Sequence, residues 1–527
     1  MAASSIIYLP TAPIRQSPKR VFFSTFLKRL INYMNQNGKK LSGKLELNWV
    51  NKNKTLIVSN YEKIKYEWVD PNDYRVSEVR LLKEVEKFGE NSADNLVICG
   101  DSLNALTSLI KIPEYRKKYV NKVKLIYIDS PFNTGQMFAN YDDQLEHSVW
   151  LAMMRDSILK AYELLSDDGS LWVHLDDTEL YHFKLVLDEV FGKENFVANV
   201  VWQKSYSPRS NAKFFSVDQD YILVYAKDIE RFRINLLERT EKQDEAYKNR
   251  DNDPRGVWKA GGLDVGGINR ANIYPITTPS RRTIHPPKGS SWRVSQTRFQ
   301  ELVKDNRIWW GKSGDNVPSI KRFLSEVQDL IPQTLWKHEE AGHNDEAKKE
   351  IKKLFPEIEP FQTPKPERLL KRIIQIATNE GDIVLDYFAG SGTTATVAQK
   401  LKRKWIMVEK NEDTVNTFTA QRLKKVISGE DKGGISEEVN WTGGGGFTYF
   451  SVEKSMFATH SGIICLAENV LNGKLAKLVA TQLEYDYQPE NEYFCGKKGD
   501  VLLAVVEGML TDGLLNFCLT QKEKMSF

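Results

Sequence analysis

The fold of this chain is decided by the stretch Leu125-Ile126-Tyr127-Ile128-Asp129-Ser130-Pro131-Phe132-Asn133-Thr134-Gly135. Its first part belongs to an apolar run that starts at Val123 and ends at Asp129, just before a Ser-Pro turn signal. Such a run predicts a buried parallel strand followed by a loop. Open α/β sheets bind their ligands at the carboxyl ends of strands, so this loop is a candidate site.

The loop residues Asp129, Ser130, Pro131 and Phe132 suit a reaction on the amino group of a flat, polar ring. The Asp129 carboxylate and the Ser130 carbonyl can both accept hydrogen bonds from an NH₂ group. Those bonds would draw the nitrogen lone pair out of conjugation and towards an electrophile, while Phe132 stacks on the ring. Asp, Ser and Pro are also ordinary turn formers, so these residues alone leave a plain strand and turn as an alternative interpretation.

A second stretch far downstream predicts a cofactor site. An apolar strand ending at Asp386 leads into Phe388-Ala389-Gly390-Ser391-Gly392 and then into a predicted helix. Glycines let the backbone approach a ligand closely, and the helix N-terminus favours an anionic group. The next apolar run ends at Glu409, about twenty residues on, where an acidic side chain commonly holds ribose hydroxyls. The pattern predicts an adenosine-containing cofactor, and NAD fits it nearly as well.

Together the two stretches resemble the amino-directed DNA methyltransferases that use S-adenosylmethionine. A D-x-P-F loop upstream of an F-x-G-x-G loop is the motif order of their β class. Further segments resemble the modification subunits of type III restriction systems: Asn95 to Ser102, Thr363-Pro364-Lys365-Pro366-Glu367, Trp310 to Pro318, Glu340 to Asn344, and Gly429 to Gly434. The resemblance extends from roughly residue 45 to beyond residue 450.

The resemblance implies a Rossmann-like α/β core of the S-adenosylmethionine-dependent methyltransferases with an inserted target-recognition domain. It implies that Asp129, Ser130, Pro131 and Phe132 are catalytic. The cofactor-binding residues that it implies are Asp101, Thr363, Lys365, Asp386, Phe388, Gly390, Gly392, Thr393 and Glu409. Among these, Thr363 and Lys365 would meet the methionine carboxylate of the cofactor.

The first two residues of the catalytic motif carry further information. An acidic residue at Asp129 favours adenine N6 as the methyl acceptor, since the family's cytosine-N4 enzymes usually begin this motif with Ser. The usual motif is D-P-P-Y or D-P-P-F, and Ser130 lacks the fixed φ of proline, so the loop is less preorganised. The alternatives are a cytosine-N4 methyltransferase, a DNA-recognition subunit whose catalytic loop has decayed and, remotely, an NAD-dependent dehydrogenase.

Domain boundaries follow from changes in composition. We expect an N-terminal extension over residues 1–94, with an amphipathic helix from Phe22 to Met34, and a C-terminal region over 441–527. The catalytic half of the core would occupy residues 95–228 and the cofactor half 346–440. Between them, residues 229–345 are rich in Gly, Pro, Arg, Lys and Trp. Cations neutralise phosphates and aromatic rings stack on bases, so this insertion predicts the target-recognition domain, with a solvated loop-rich insertion as the alternative.

Composition indicates a cytoplasmic enzyme without a membrane partner. The 527 residues carry a formal charge of +4, which permits DNA binding through local patches, and no apolar run of membrane length occurs. No metal is expected, because the four cysteines lack C-x-x-C spacing and His338 and His343 stand off one helical face. The resemblance, rather than composition, implies the expected partners: double-stranded DNA, a second copy in a homodimer, and a restriction helicase–nuclease subunit.

Overall fold

The computed structural model describes residues 46–60, 65–92, 94–133, 146–208, 210, 212–239, 241–460, 463–470, 474–491 and 494–505, together with 513, 516, 517 and 520. The helix predicted from Phe22 to Met34 lies outside the described residues. The chain divides into two compact units, Met1–Leu47 and Asn48–Phe527. The elements that follow all belong to the second unit.

Ten strands of this unit form one mixed sheet. In chain order they are β1 (Leu82–Gly89), β2 (Leu96–Cys99), β3 (Val123–Asp129), β4 (Leu165–Leu175), β5 (Phe196–Gln203), β6 (Gln219–Ala226), β7 (Leu335–Trp336), β8 (Ile383–Asp386), β9 (Lys404–Glu409) and β10 (Gly446–Val452). Their order across the sheet is β7-β5-β6-β4-β3-β8-β9-β2-β10-β1. The six strands from β4 to β10 in this order are parallel, whereas β6 and β1 run antiparallel to their neighbours.

Both faces of the sheet are buried, which explains why its central strands are continuously apolar. Leu125 and Tyr127 of β3 point to one face and Ile126 and Ile128 to the other, and all four are buried. The helices include α1 (Ser102–Lys111), α2 (His147–Leu164), α3 (Leu180–Phe191), α4 (Glu367–Ala377), α5 (Thr393–Lys400) and α6 (Ala420–Ile427). Strands covered by helices in this way confirm the α/β fold predicted from the sequence.

Further helices accompany α1 to α6, and further strands lie outside the ten-stranded sheet. The helices are Tyr74–Ser77, Pro113–Tyr119, Glu241–Asp244, His338–Ala341, Asn344–Leu354, Glu412–Thr414 and Leu475–Gln482. The strands that flank the core in sequence are Thr55–Asn60, Lys65–Val69, Phe457–His460, Ile463–Leu466, Asp486–Tyr487, Gly496–Lys498 and Val501–Leu503.

The segment between β6 and β7 has a hydrophobic core of its own. Its strands are Trp258–Gly262, Asp264–Gly266, Ile276–Thr277, Thr283–Ile284, Ser290–Trp292, Ile308–Trp309 and Ser319–Phe323, with the helix Gln296–Lys304. Leu263, Trp292 and Phe299 are buried against one another in this cluster. The segment is therefore held together by internal packing rather than by the central sheet alone.

The predicted domain boundaries stay predictions, but the sheet draws on residues outside the two predicted core halves. Strand β1 comes from the predicted N-terminal extension, β7 from the predicted insertion and β10 from the predicted C-terminal region. Strand β10 pairs parallel with β2, and Phe447 at its start is buried in the main core. Which strands join a sheet is set by their long-range partners, which a local sequence pattern does not reveal.

A buried ionic cluster ties α4, α5 and α6 together. The Glu367 carboxylate lies 2.7 Å from Lys400 Nζ and 3.0 Å from an Arg422 guanidinium nitrogen. Lys400 Nζ also lies 2.8 Å from Asp431, and all four side chains are almost inaccessible to solvent. Charges removed from water in this way are tolerated only when each has its partners, so the cluster fixes the relative positions of the three helices.

No helix among the described residues is long and apolar enough to cross a membrane.

Replacing Glu367 by Gln tests this cluster. The variant removes the charge shared by Lys400 and Arg422, and we expect the free energy of unfolding to fall by about 3–5 kcal/mol because two buried cations lose a partner. The matched control is Glu301→Gln, whose ion pair with Arg298 is exposed and should change stability by less than about 1 kcal/mol. Urea denaturation of both variants measures the difference, and equal stabilities would contradict the assigned role of the cluster.

Candidate active site

The carboxyl ends of four neighbouring parallel strands surround a single cavity of about 1510 Å³. Strands β3, β8 and β9 end at Asp129, Asp386 and Glu409, and Asp101 follows β2 after one glycine. All four acidic side chains line the cavity. The cavity therefore lies where the topology of an open α/β sheet places ligands.

Lys365 connects the catalytic loop to the segment that precedes α4. Its Nζ lies 2.5 Å from Asp129 Oδ2 and 5.2 Å from the centre of the Phe132 ring. The sequence predicted a cofactor role for Lys365, and this contact with Asp129 was not foreseen. A lysine in this place holds the Asp129 carboxylate by a charge-assisted hydrogen bond and contacts the Phe132 ring by a cation–π interaction.

Two polar atoms of the loop are left without hydrogen bonds. Asp129 Oδ1 and Ser130 Oγ are buried, and neither has a hydrogen-bond partner in the part of the chain that the structure describes. A buried acceptor or donor without a partner is costly, and such atoms in a cavity are typical of a site that binds a polar ligand. An amino group that donates to Asp129 Oδ1 would remove this cost.

A series of hydrogen-bonded polar side chains, most of them buried, packs against the Phe132 ring. The His174 ring stacks on Phe132 with centroids 5.6 Å apart and 22° between the planes. Its Nδ1 lies 3.0 Å from the Tyr127 hydroxyl and its Nε2 lies 3.3 Å from Asp220, which in turn binds Lys204. Burial lowers the pKa of His174, so the ring is neutral at pH 7. The histidine is a satisfied core residue that also positions the aromatic ring of the loop.

The sequence did not predict the contacts made by His174. Lys204 follows β5 and Asp220 lies in β6, and both line the cavity. A loop joins their strands, and their place near His174 depends on the antiparallel pairing of β6 with both β4 and β5, which no local motif encodes. Tyr127 lies two residues before Asp129 and therefore on the same face of β3, which was the available signal for a second polar group near the loop.

The cofactor loop is held by hydrogen bonds to two of the acids. Asp386 accepts from the Phe388 N–H at 2.9 Å and from the Thr394 hydroxyl at 2.6 Å. Glu409 accepts from the Gly390 N–H at 2.9 Å and from the Asn411 N–H at 2.9 Å. Burial raises the pKa of Asp386 to about 7 and also raises the pKa of Glu409. Both acids therefore shape the loop as well as facing the cavity.

The two glycines of the loop have different tasks. Gly390 lines the cavity at a φ of 48°, and an added Cβ would lie 3.3 Å from the Phe361 ring. Gly392 has a φ of 77° and caps α5, and an added Cβ would lie 3.2 Å from a Thr419 methyl group. Both positions favour glycine through their backbone conformation. Gly392 is absent from the cavity lining, and its predicted role in cofactor binding stays a prediction beside its role at the turn.

The other predicted cofactor residues surround the same space. Phe388, Thr363 and Thr393 line the cavity, and Thr393 accepts a hydrogen bond from the buried Arg422 at 2.8 Å. Asp101 also caps α1, since its side chain accepts from two N–H groups of the first turn. The cavity thus offers acids beside a glycine turn and a helix N-terminus, which fits an adenosine-containing cofactor with a carboxylate at its other end.

A group that could hold a metal lies beside the catalytic loop. Glu179 is fully buried, with His147 Nδ1 at 2.6 Å, His182 Nδ1 at 3.2 Å and Asn133 Nδ2 at 2.8 Å from its carboxylate. Three donors already satisfy the carboxylate, so hydrogen bonding accounts for this arrangement. The sequence did not indicate the cluster, because its members come from a loop and the starts of two helices. Its contact with Asn133 fixes the chain immediately after Phe132.

Comparison with known proteins gives the family context. Residues 123–420, more than half of the chain, match the family model described as DNA methylase. The chain is 30% identical to the type III restriction-modification enzyme StyLTI Mod subunit of Salmonella typhimurium over 391 residues, which cover 64% of this chain and 57% of that protein. It is 32% identical to the probable type III restriction-modification enzyme HindVI Mod subunit of Haemophilus influenzae over 438 residues, covering 71% and 56%.

The chain therefore spans less than three fifths of the length of these two relatives. Among solved structures, the PvuII DNA methyltransferase (cytosine-N4-specific) matches with a TM-score of 0.35 and 15% identity, covering 66% of this chain and 90% of that one.

The buried carboxyl of Asp386 predicts a pH-dependent stability. Because its folded-state pKa is about 7 and its unfolded value is about 3.9, the folded state binds the proton more tightly. The contribution of Asp386 to the free energy of unfolding is therefore fully present below about pH 4 and is lost as pH rises towards 7.

Asp386→Asn lacks this dependence, so its stability relative to the natural protein should rise by roughly 1–3 kcal/mol between pH 5 and pH 8. Urea denaturation without cofactor at both pH values measures it. An unchanged difference between the two proteins would show that Asp386 is ionised at both pH values.

Proposed function

Because the chain belongs to the DNA methylase family, we propose that it transfers a methyl group from S-adenosylmethionine to an exocyclic amino group in duplex DNA. The observation that supports this most directly is the meeting of two loops in one cavity. The Asp129–Phe132 loop and the Asp386–Thr393 loop leave the adjacent strands β3 and β8 on the same side. An amino group held at the first loop would face a methyl donor held at the second, and such proximity supplies a large share of rate enhancement.

The proposed methyl acceptor is adenine N6. Asp129 has one oxygen bonded to Lys365 and a second, buried oxygen without a partner among the described residues. The second oxygen is the acceptor for the amino group, while Lys365 keeps the carboxylate in one orientation. Phe132, supported by His174, offers a flat surface on which the base stacks, a contact worth roughly 1–3 kcal/mol. That gain offsets part of the few kcal/mol needed to flip a base out of the duplex.

S-adenosylmethionine, when bound, supplies a methyl group on a positively charged sulfur. The residues proposed to hold it are Asp101, Thr363, Lys365, Asp386, Phe388, Gly390, Gly392, Thr393 and Glu409, with Gly392 acting through the shape of the turn. Glu409 is suited to ribose hydroxyls because its carboxylate lines the cavity and can accept hydrogen bonds in addition to those from the Gly390 and Asn411 N–H groups. Thr363 and Lys365 line the same cavity just before α4, and they are proposed to meet the methionine carboxylate of the cofactor.

The segment of residues 229–345 is the proposed target-recognition domain. Apart from β7, which belongs to the central sheet, it has a hydrophobic cluster of its own between residues 263 and 308. Arg270, Arg281, Arg282 and Lys288 of this segment are exposed, as cations that contact DNA phosphates or base edges must be.

The proposed partners are double-stranded DNA, a second copy of the chain and a restriction helicase–nuclease subunit. Similarity to proteins named as Mod subunits of type III restriction-modification enzymes supports this assembly. The proposed location is the cytoplasm, where such DNA is accessible. Light scattering of the purified chain, alone and with DNA, would report whether it is a dimer.

Variants of the catalytic loop test the proposed chemistry. We expect Asp129→Ala to lower the rate of methyl transfer by at least about 100-fold, because the acceptor of the amino group is lost. Ser130→Pro should transfer at an equal or higher rate, because proline restores a rigid loop and removes a buried hydroxyl without a partner among the described residues.

The measurement is transfer of tritiated methyl groups to mixed-sequence duplex DNA, after calorimetry has shown that each protein binds S-adenosylmethionine. If the natural protein transferred no methyl groups while Ser130→Pro was active, the result would support a DNA-recognition subunit with a decayed catalytic loop. Tight binding of NAD without binding of S-adenosylmethionine would support the dehydrogenase.

Exchange of the insertion tests whether residues 229–345 choose the DNA site while the core transfers the methyl group. Replacing residues 229–345 by the equivalent segment of a relative should move methylation to that relative's DNA site while the rate stays within about tenfold. Sequencing of methylated DNA from cells that produce each protein identifies the sites. Methylation of the original site by an active chimera would refute the assignment of specificity to this segment.

A further inference from the structure

Two neighbouring phenylalanines project from the loop that joins β5 to β6. Phe214 is 83% exposed and Phe215 is 90% exposed, the two highest values among the exposed large apolar side chains of the described residues. Burial of a phenylalanine ring stabilises a fold, so two adjacent rings in water need an explanation beyond folding. Exposed apolar patches of this kind mark surfaces that bind a partner.

The loop is anchored at the rim of the cavity that contains Asp129. Lys204 at its start and Val217 near its end both line that cavity. Tyr206 stacks on His338 with centroids 5.2 Å apart and 26° between the planes, which fixes the beginning of the loop. The phenylalanine pair therefore belongs to a loop whose two ends are fixed beside the proposed position of the flipped nucleobase.

The charge beside the pair is positive. Lys213 is exposed, and its ammonium group lies 5.3 Å from the centre of the Phe214 ring. A cation next to two exposed aromatic rings matches a partner that has phosphates on its surface and flat rings inside it. Duplex DNA has both features.

We infer that Phe214 and Phe215 insert into the DNA duplex at the gap left by the flipped base. This inference rests on the proposed function, in which a base must leave its stack to reach Phe132. An empty gap would expose the faces of the neighbouring bases to water, and an apolar wedge replaces the lost stacking. The pair lowers the free energy of the flipped state without touching the reacting atoms.

The test compares methyl transfer on two duplexes. Both contain the site found by sequencing methylated DNA from cells that produce the protein, and one of them has an abasic position opposite the target base. On the paired duplex, Phe214→Ala/Phe215→Ala should lower the rate by about 10- to 100-fold relative to the natural protein. On the abasic duplex, where flipping is cheap, the difference should shrink to less than about threefold.

Two further variants act as controls. Phe214→Trp/Phe215→Trp should keep at least about half of the natural rate on the paired duplex, since the larger ring stacks at least as well. Leu159→Ala, on the exposed side of α2, should leave the rate unchanged on both duplexes. Affinity for S-adenosylmethionine should be the same in every variant, because the pair is absent from the cavity lining.

Other outcomes would overturn the inference. Equal losses on both duplexes would show that the pair contacts DNA away from the gap. A full rate of the double alanine variant on the paired duplex would show that the pair does not act on DNA, and a loss of dimer mass in that variant would assign it to a contact between copies. If the natural protein transferred no methyl group to either duplex, the proposed function itself would fail, which is a distinguishable result.

Discussion

The structure depends on the buried charge of Glu367, because this one carboxylate links the two halves of the site. Lys400 and Arg422 converge on it from α5 and α6. Arg422 also holds Thr393 in the cavity wall, and Lys365, two residues before Glu367, reaches Asp129 in the catalytic loop. Because charges inside a protein cannot move apart without a large loss of free energy, the cofactor turn and the orientation of Asp129 are set by one rigid assembly.

The cavity follows from the order of strands across the sheet rather than from the order of motifs along the chain. The pairing of Val384 with Leu125 places β8 beside β3, so the cofactor loop and the catalytic loop leave the same edge side by side. An insertion between the two halves costs the site little, since a long connection adds only slowly to the entropy of loop closure. The sequence of the insertion can therefore change while the geometry of the cavity stays fixed.

The sequence predicted those parts of the fold and site that rest on strong local patterns. The apolar runs that end at Asp129, Asp386 and Glu409 are strands with those ends, since a strand buried on both faces must be apolar throughout. Two contacts join residues that are distant along the chain: Lys365 with Asp129, and His174 with Phe132. A local periodicity cannot predict contacts of this kind. The hydrogen bonds of Glu179 were hidden for the same reason.

The interleaving of the two halves also governs how the protein can be made. A nascent chain leaves the ribosome from its N-terminus, so β3 is synthesised long before its neighbour β8. Until β8 appears, one edge of β3 has unpaired backbone groups, and an open edge of this kind readily pairs with other chains. The insertion, with its own apolar cluster, can collapse while the ribosome is still producing the second half. Its early folding would shorten the effective gap between β6 and β8 and so protect the unfinished sheet from aggregation.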